Sequence, residues 1–276
     1  MVTTEGQRPE WILTGNLRTK VSELKMSGFS TERRKFMQKL LSKLRRAVND
    51  FKLIEAGDKI AVGLSGGKDS IAVLHLLKRY QSFSPEPFEL IAITLDPGTG
   101  AKFDDMVTLC NELDVPYYII KTDIKEIVFD IRKEKNPCSL CANLRRGALN
   151  DNAKQLGCNK VALGHHKNDA IETLLMSMLY ESRISSFSPK TYLSRTNITV
   201  IRPMVYIDEL EIKSAAKKFS FPIVHNPCPA NGLTKRQYMK DLTYALEKDI
   251  PGVKNNLLRA LMNEEQLNIW HKENRE

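Results

Sequence analysis

A Ser-Gly-Gly-Lys-Asp-Ser segment, residues 65–70, most constrains what this chain can fold into. It follows a short apolar run, Lys59–Leu64, that is typical of a buried parallel strand, and it precedes the apolar positions of a helix from Ile71 onward. Glycines at such a turn let the backbone approach an anion closely, and the helix directs free N–H groups and its positive dipole end toward that anion. The segment therefore predicts a phosphate-binding loop.

The spacing of this loop distinguishes it from two common nucleotide-binding motifs. The Walker pattern needs four residues between its first glycine and Gly-Lys, and the dinucleotide fingerprint needs Gly-x-Gly-x-x-Gly, whereas this chain has Ser65-Gly66-Gly67-Lys68. Lys68 adds a mobile positive charge to the loop. A strand-to-helix turn that binds no ligand would not require the Lys-Asp-Ser that follows the glycines.

Strand and helix patterns alternate after the loop. Further strands are predicted at 90–95, 117–120 and 160–163, and helices at 104–113, 144–156 and beyond Glu172. This alternation indicates an α/β fold with a doubly wound parallel sheet. Ligands of such sheets lie beyond the carboxyl ends of the strands, which is where Ser65, Asp96 and Gly164-His165-His166 fall.

The remaining segments give three predicted parts: an N-terminal extension with a basic amphipathic helix at 1–50, a catalytic domain at 51–245 and a C-terminal helical tail at 246–276. The first thirty residues lack a sustained period, which predicts a mobile or loosely docked extension in which Trp11-Ile12-Leu13 could dock locally. From Thr31 apolar residues recur at helical spacing with Lys and Arg between them. The basic face of this helix is compatible with RNA contact and with a solvated surface over an ordinary core. Ser182–Arg195 is a polar stretch, and Ile201–Asp241 predicts loop and helix rather than sheet.

Charge and composition limit the partners. Of 276 residues, 42 are Lys or Arg and 33 are Asp or Glu, so the net charge of +9 favours a polyanion such as RNA. No stretch is apolar for the roughly 18 residues that a bilayer span needs, so we expect no membrane and a cytosolic location. Five cysteines then indicate metal binding or catalysis rather than a disulfide framework.

Three of the cysteines stand in a pattern that binds metals or clusters. Cys138 and Cys141 form a Cys-x-x-Cys, and Cys228 follows between two prolines. Three thiolates fit an iron–sulfur cluster with one open iron, a zinc site completed by His225, or a redox pair. Cys110 and Cys158 are predicted to be small buried hydrophobes.

The loop resembles that of the pyrophosphatase-loop (PP-loop) enzymes, of the adenine nucleotide alpha hydrolase type, which cleave ATP between its α and β phosphates to adenylate a substrate. The resemblance implies that the loop holds ATP and its departing pyrophosphate, that Asp69 contacts Mg²⁺, and that Asp96, Gly164 and His165 bind the nucleotide. The implied pyrophosphate-binding residues are Ser65, Gly66, Gly67, Lys68 and Ser70.

A narrower resemblance, from about Arg34 to Asp241, is to the tRNA 2-thiocytidine synthetase family. Its motifs are the loop, Cys-Ser-Leu-Cys followed by Leu-Arg-Arg-Gly, Gly-His-His, Ile-Arg-Pro at 201–203, and Phe-Pro-Ile before Cys228. The resemblance implies that Cys138, Cys141 and Cys228 hold a [4Fe–4S] cluster whose fourth iron is open. It also implies a tRNA substrate, a cysteine desulfurase system or inorganic sulfide as sulfur donor, and a homodimer.

The chain departs from that family in three places. Cys228-Pro229-Ala230-Asn231 lacks the usual second cysteine, which is not a cluster ligand in the family. The loop after Asp96 is shortened, and the first thirty residues have no counterpart. These departures bear on the nucleoside substrate more than on the chemistry.

The implied reaction begins when a carbonyl oxygen of the substrate attacks the α-phosphate of ATP, assisted by Lys68 and Ser70. Sulfur held on the open iron then displaces AMP, so Cys138, Cys141 and Cys228 join the predicted catalytic residues. Four cations are predicted to guide the tRNA backbone, although each is also compatible with an ordinary exposed charge: Arg145, Arg146, Lys235 and Arg236.

Other functions fit parts of the same pattern. A PP-loop enzyme with a nitrogen nucleophile, such as tRNA lysidine synthetase, would need no ligand cysteines. A zinc-stabilised RNA-binding protein would leave the phosphate loop unexplained. Sulfur transfer through a persulfide on Cys138 and Cys141, or to another nucleotide, would keep the ATP chemistry.

Overall fold

The computed structural model describes residues 11–14, 30–98, 100–132, 137–224, 235–263 and 265, except for the side chains of 11–14, 129–130 and 137–139. The chain divides into two compact units, one formed by residues 1–166 with 188–231 and the other by 167–187 with 232–276. Each unit therefore contains segments that are distant from one another in the sequence. The predicted limits of 1–50, 51–245 and 246–276 divide the chain by expected role, and they stay a prediction.

A seven-stranded sheet lies in the first unit. In chain order its strands are β1 (Trp11–Thr14), β2 (Lys59–Gly63), β3 (Glu89–Asp96), β4 (Tyr117–Lys121), β5 (Lys160–Ala162), β6 (Lys190–Leu193) and β7 (Ile198–Ile201). Their order in the sheet is β1-β4-β3-β2-β5-β7-β6. The five inner strands pair in parallel, which confirms the predicted α/β fold with a doubly wound sheet.

Both edges of the sheet are antiparallel, which the sequence did not predict. β1 pairs with β4, so these four residues of the extension are docked on the sheet rather than mobile. β6 and β7 form a hairpin whose turn includes Asn197 at φ 54°. Edge strands are short and depend on a non-local partner, so their own residues carry little periodic signal.

Nine helical segments, counted over the described residues, flank or follow the strands. They are α1 (Thr31–Asp50), α2 (Lys68–Gln81), α3 (Asp104–Glu112), a π-helical turn (Glu126–Ile131), α4 (Pro137–Gln155), α5 (Lys167–Glu181), α6 (Glu209–Lys218), α7 (Lys235–Asp249) and α8 (Val253–Ala260). α1 is the predicted basic amphipathic helix: Ser30 caps its start, and its buried stripe includes Leu40 and Leu44. α4 begins seven residues before the predicted Leu144, so the Cys-x-x-Cys lies on a helix.

The core of the first unit has two faces because successive strand residues point to opposite sides of the sheet. On one face Ile91, Ile93 and Leu95 of β3 pack with Leu149 and Ala153 of α4. On the other face the strands support α2, which also packs against α1 and α6. α2, whose first residues belong to the glycine loop, is thereby packed on both the sheet and its neighbouring helices.

In the second unit the described residues form the helices α5, α7 and α8, with α5 packed on both of the other helices. Glu247 accepts hydrogen bonds from the amides of Gly252 and Lys254, both at 3.0 Å, and so caps α8. These backbone hydrogen bonds lower the pKa of Glu247, with burial opposing them and Lys254 and Lys167 adding to the shift. Of the helices that the structure describes, none is both long and apolar enough to cross a bilayer.

Candidate active site

The end of β2 is anchored by a buried chain of hydrogen bonds. Tyr117 donates its phenolic proton to Thr94 Oγ1 at 2.8 Å, and Thr94 donates to the carbonyl of Leu64 at 2.5 Å. Both Thr94 and Tyr117 are almost fully buried. These hydrogen bonds fix the position of the end of β2, from which the glycine loop begins.

The loop then folds around the hydroxyl of Ser70. Ser70 donates to the carbonyl of Gly67 at 2.8 Å and accepts from the amide of Ser65 at 3.2 Å. Gly66 has φ +79°, a conformation that glycine adopts without strain. Ser70 is only 6% exposed, so it acts here as the internal brace of the loop.

The start of α2 presents its amides to the loop. Gly67 is the N-cap residue and has no side chain with which to cap the helix, while its own amide donates to Ser65 Oγ at 3.4 Å. The first amides of a helix lack an intrahelical partner, and together with the helix dipole they form an anion site. The geometry supports the predicted phosphate-binding role of Gly66 and Gly67.

Lys68 lies between two carboxylates. Its Nζ is 2.8 Å from Asp69 Oδ2 and 3.3 Å from Glu209 Oε1. Burial works against the charged amine, but the hydrogen bonds and charges of Asp69 and Glu209 outweigh it and raise the pKa of Lys68. Lys68 is therefore held as a cation at the loop.

Glu209 is a site residue that the sequence analysis missed. It is 3% exposed and stands in the first turn of α6, directly after the N-cap Asp208. Asp208 and Glu211 form a capping box, and this Asp-x-x-Glu pattern is a helix-start signal that is visible in the sequence. That signal places the start of α6, but it does not reveal that α6 begins beside Lys68.

The second predicted nucleotide segment meets the loop at the switch point between β2 and β5. A Cβ on Gly164 would lie 2.8 Å from the backbone carbonyl carbon and oxygen of Asp69, so only glycine allows this approach. His166 is 4% exposed, and its Nε2 lies 3.7 Å from Asp69 Oδ1. His165, between Gly164 and His166 in the chain, is half-buried. The structure thus brings Gly164 and His166 beside Asp69 of the glycine loop.

Asp96 ends β3, beside β2 and at the same edge of the sheet. Its Oδ1 accepts from the amide of Gly98 at 2.9 Å, and its carbonyl accepts from the amide and hydroxyl of Thr122, both at 2.9 Å. The hydrogen bond from Gly98, in the turn that follows the strand, therefore orients the carboxylate of Asp96. This is the predicted location for nucleotide recognition.

A segment near the third predicted cysteine also contacts the loop. The amide of Val224 donates to the carbonyl of Gly66 at 3.0 Å, and a Cβ on Gly66 would lie 2.9 Å from Val224 Cβ. Cys228 and His225 lie outside the described residues. Val224 is nevertheless four positions before Cys228, so this part of the chain reaches the phosphate loop shortly before the predicted ligand.

The Cys-x-x-Cys lies in the first turns of α4. The structure describes the backbone of Cys138 but not its side chain, and Cys141 is half-buried. A Cβ on Gly63, the last residue of β2, would lie 2.7 Å from Leu149 Cδ2, so Leu149 of α4 lies level with the end of that strand. The helix α4 leads into the parallel strand β5, so it runs antiparallel to the strands and its start extends beyond their carboxyl ends. Cys141 is eight residues before Leu149, which is about 12 Å along the helix axis.

The other two cysteines are buried thiols, as predicted. Cys110 is 0% exposed and Cys158 is 4% exposed. Burial raises the pKa of Cys110 to about 12 and, with smaller charge effects from Lys59 and Glu89, that of Cys158 to about 11. Both thiols therefore stay protonated at neutral pH.

The four predicted RNA-contacting cations have different surroundings. On α4, Arg145 is half-buried and Arg146 is exposed. In the second unit Lys235 Nζ lies 4.4 Å from the ring centroid of Tyr180, while Arg236 lies 3.4 Å from Asp169 and 3.6 Å from Glu172. Arg236 is therefore ion-paired within that unit while 47% of its side chain stays exposed, and its sequence context did not reveal this pairing.

Arg202 adds a further cation near Arg146. It donates to the carbonyl of Ser188 at 2.6 Å and to Thr191 Oγ1 at 3.2 Å. Burial, and then the charge of Arg146, lower the pKa of Arg202 to about 10. Two mutually repelling guanidinium groups form a place where an anion would be stabilised.

The glycine loop, the cation at its helix start and the switch-point position define a nucleotide-binding α/β protein with a loop that is neither a Walker nor a dinucleotide motif. Residues 36–241 match the PP-loop domain family, and the chain belongs to that family. Within it, the chain is a member of the tRNA-cytidine(32) 2-sulfurtransferase family of transferases.

Two relatives carry that narrower assignment. The tRNA-cytidine(32) 2-sulfurtransferase of Geobacter sulfurreducens is 41% identical over 230 residues, covering 82% of this chain and 90% of the relative. That of Neisseria meningitidis serogroup A is 38% identical over 235 residues, covering 84% and 74%. A solved structure, the U34-tRNA thiolase NcsA from Methanococcus maripaludis with its [4Fe-4S] cluster, aligns with a TM-score of 0.70 and 28% identity over 88% of this chain and 84% of that one.

Proposed function

We propose that this chain is an ATP-dependent tRNA sulfurtransferase that converts a tRNA cytidine to 2-thiocytidine, with AMP and pyrophosphate as the other products. The observation that carries the proposal is the approach of Gly164 to the backbone of Asp69, because it joins the glycine loop and the second nucleotide segment in one site. The named activity of relatives that are about 40% identical supports the same substrate class.

The first half of the reaction is the adenylation of the base. The C2 oxygen of cytidine attacks the α-phosphorus of ATP, and the bond to the β-phosphate oxygen breaks. The amides at the start of α2 and the ammonium of Lys68 are placed to stabilise the charge that develops on pyrophosphate. Ser70 keeps the loop in the conformation that directs these amides inward.

A magnesium ion fits one group in this site. The carboxylate of Asp69 is one-third exposed and stands at the loop, and magnesium binds through one or two carboxylates together with substrate phosphates. Asp69 would therefore exchange part of its contact with Lys68 for the metal. Asp96, Gly164 and His165 would hold the nucleoside part and the α-phosphate side of ATP.

A [4Fe–4S] cluster fits the donor chemistry of Cys138, Cys141 and Cys228. Cys138 and Cys141 are three apart at the start of α4, where a helix dipole stabilises anionic ligands. This start extends past the carboxyl edge of the sheet, as the nucleotide loop does. When bound, the cluster would supply the sulfur that replaces the C2 oxygen, and that oxygen would leave with AMP.

The tRNA and the sulfur donor complete the proposal. Arg145, Arg146, Lys235 and Arg236 are the cations that we assign to tRNA contact, and Arg236 also pairs with Asp169 and Glu172 of α5. The donor would be inorganic sulfide or a cysteine desulfurase system. A homodimer in the cytosol remains part of the proposal.

Anaerobic purification with iron, sulfide and zinc analysis, followed by mass spectrometry of nucleosides from treated tRNA, tests the proposal. We expect about four irons and four sulfides per chain and ATP-dependent 2-thiocytidine. Cys228→Ala should lose the iron, whereas Lys68→Ala should keep the iron but turn over at a strongly reduced, still measurable rate. Cys110→Ala is the matched control, because it removes a buried thiol and should keep both. One zinc per chain, or thiolation without ATP, would contradict the proposal.

A further inference from the structure

Glu209 combines deep burial with a direct contact to the loop cation. Its carboxylate is 4% exposed, and Oε1 lies 3.3 Å from Lys68 Nζ. A buried carboxylate costs several kcal/mol unless it is paired. The helix dipole at the start of α6 supplies part of that pairing, and Lys68 supplies an opposite charge.

The start of α6 is itself firmly placed. Asp208 accepts from the amide of Leu210 at 3.0 Å, and Glu211 accepts from the amide of Asp208 at 3.0 Å. Glu211 also binds Lys43 of α1 at 2.6 Å, which ties α6 to the neighbouring helix. Glu209 is therefore presented to Lys68 from a rigid element rather than from a loop.

The two carboxylates around Lys68 differ in accessibility. The side chain of Asp69 is 33% exposed, whereas that of Glu209 is 4% exposed. An arriving metal–nucleotide complex can reach Asp69, but it cannot reach Glu209. Of these two partners, only Glu209 can keep its hold on Lys68 during the reaction.

We propose that Glu209 is a positioning residue that keeps the ammonium of Lys68 directed at the departing pyrophosphate when Asp69 turns to the metal. This inference rests on the proposed ATP-dependent function. A lysine side chain loses much rotamer freedom when it is ordered, so a fixed partner removes a cost that would otherwise fall on the transition state. Glu209 acts through Lys68 and does not touch the substrate.

The test measures tRNA-dependent AMP formation for Glu209→Gln, Lys68→Ala and the double variant. For Glu209→Gln we expect kcat to fall about 10²-fold, with the KM for tRNA unchanged. If Glu209 acts through Lys68, the double variant should be no slower than Lys68→Ala. A structural role would instead slow both backgrounds by the same factor, which would overturn the inference.

Lys213→Met is the matched control. Lys213 lies 3.4 Å from the other carboxylate oxygen of Glu209 and is 43% exposed, so its removal should leave kcat at the wild-type value. Glu209→Asp keeps the charge on a shorter side chain, should recover part of kcat, and replaces Glu209→Gln in the cycle if that variant fails to fold. A rise in the KM for ATP at constant kcat would also overturn the inference. Failure of the proposed function is distinct, because wild type would then form no AMP with tRNA.

Discussion

The amide of Val224 donates a hydrogen bond to the carbonyl of Gly66 at 3.0 Å, which links the phosphate loop to the segment that leads to Cys228. The same two residues are so close that a Cβ on Gly66 would lie 2.9 Å from Val224 Cβ. The nucleotide loop and the predicted ligand segment therefore share a direct backbone contact.

Gly66→Ala should weaken ATP binding by more than about tenfold, because a methyl group there meets Val224 and the φ of +79° disfavours an L-residue. Gly57→Ala is the control: its φ is +83°, but no atom lies within 4 Å of the new methyl. Calorimetric titration with ATP should show normal binding for the control. Equal losses in both variants would show that backbone strain alone is responsible.

Gly164→Ala should separate the β5–α5 connection from the start of α2, because the new Cβ would lie 2.8 Å from the backbone of Asp69. We expect loss of ATP-dependent AMP formation and a lower melting temperature. Gly147→Ala, where no atom lies within 4 Å, should instead stabilise α4 by about 0.5–1 kcal/mol. Normal turnover in Gly164→Ala would refute the proposed junction of the two nucleotide segments.

Lys160→Ala should lower the free energy of unfolding by about 3–5 kcal/mol, because it leaves a buried charge without its partner. Lys160 Nζ lies 2.7 Å from Asp58 Oδ2, and both side chains are 4% exposed. Lys59→Ala removes an exposed pair with Glu89 at 3.8 Å and should cost less than about 1 kcal/mol. Urea denaturation measures both values, and similar losses would contradict the assigned difference in burial.

His75 should make stability fall in acid. Burial, and then the nearby Arg79, lower the pKa of His75 from 6.5 to about 4, while its ring stacks on Phe221 at a centroid distance of 4.9 Å. The unfolded chain therefore binds a proton near pH 6.5 that the folded chain does not accept until about pH 4. The contribution is complete above pH 6.5 and is lost as the pH falls to about 4, by on the order of 3 kcal/mol.

Urea denaturation of wild type and His75→Leu between pH 7 and 4.5 isolates this contribution from those of the carboxylates. We expect a shallower loss of stability in the variant over this range. Parallel curves would show that the imidazole does not titrate differently in the two states.

Arg146→Ala should reduce tRNA affinity and lower the salt dependence of binding by about one counterion. The exposed Arg146 and the half-buried Arg202 repel each other, and an RNA phosphate between them would relieve that repulsion. Lys218→Ala is the control, since Lys218 already pairs with Glu32 at 2.6 Å. Filter binding at several salt concentrations measures both slopes, and an unchanged slope for Arg146→Ala would contradict its assignment.

Much of the fold was predictable because the information is local. The apolar runs at β2 and β3 are short and continuous, as buried parallel strands require, and the predicted strand positions differ from the structure by about one residue. The phosphate loop was equally clear, since glycines, a lysine and a helix start are adjacent in the chain. The basic stripe of α1 was visible through its helical period.

The edges of the sheet and half of the site were not predictable in this way. β1, β6 and β7 are defined by the strands beside them rather than by their own four residues. The sequence could not show that Arg236 pairs with Asp169 and Glu172, because those two residues lie far from it along the chain.

The amino-acid sequence by itself determined the inner parallel strands, the glycine loop between β2 and α2 and the spacing of the cysteines, because each of these depends on neighbouring residues and their period. Only the tertiary structure decided that Glu209 faces Lys68, that His166 faces Asp69 and that Val224 holds Gly66. Such contacts arise when elements distant in sequence pack together, and a buried charge acquires its role only from the partner that packing supplies.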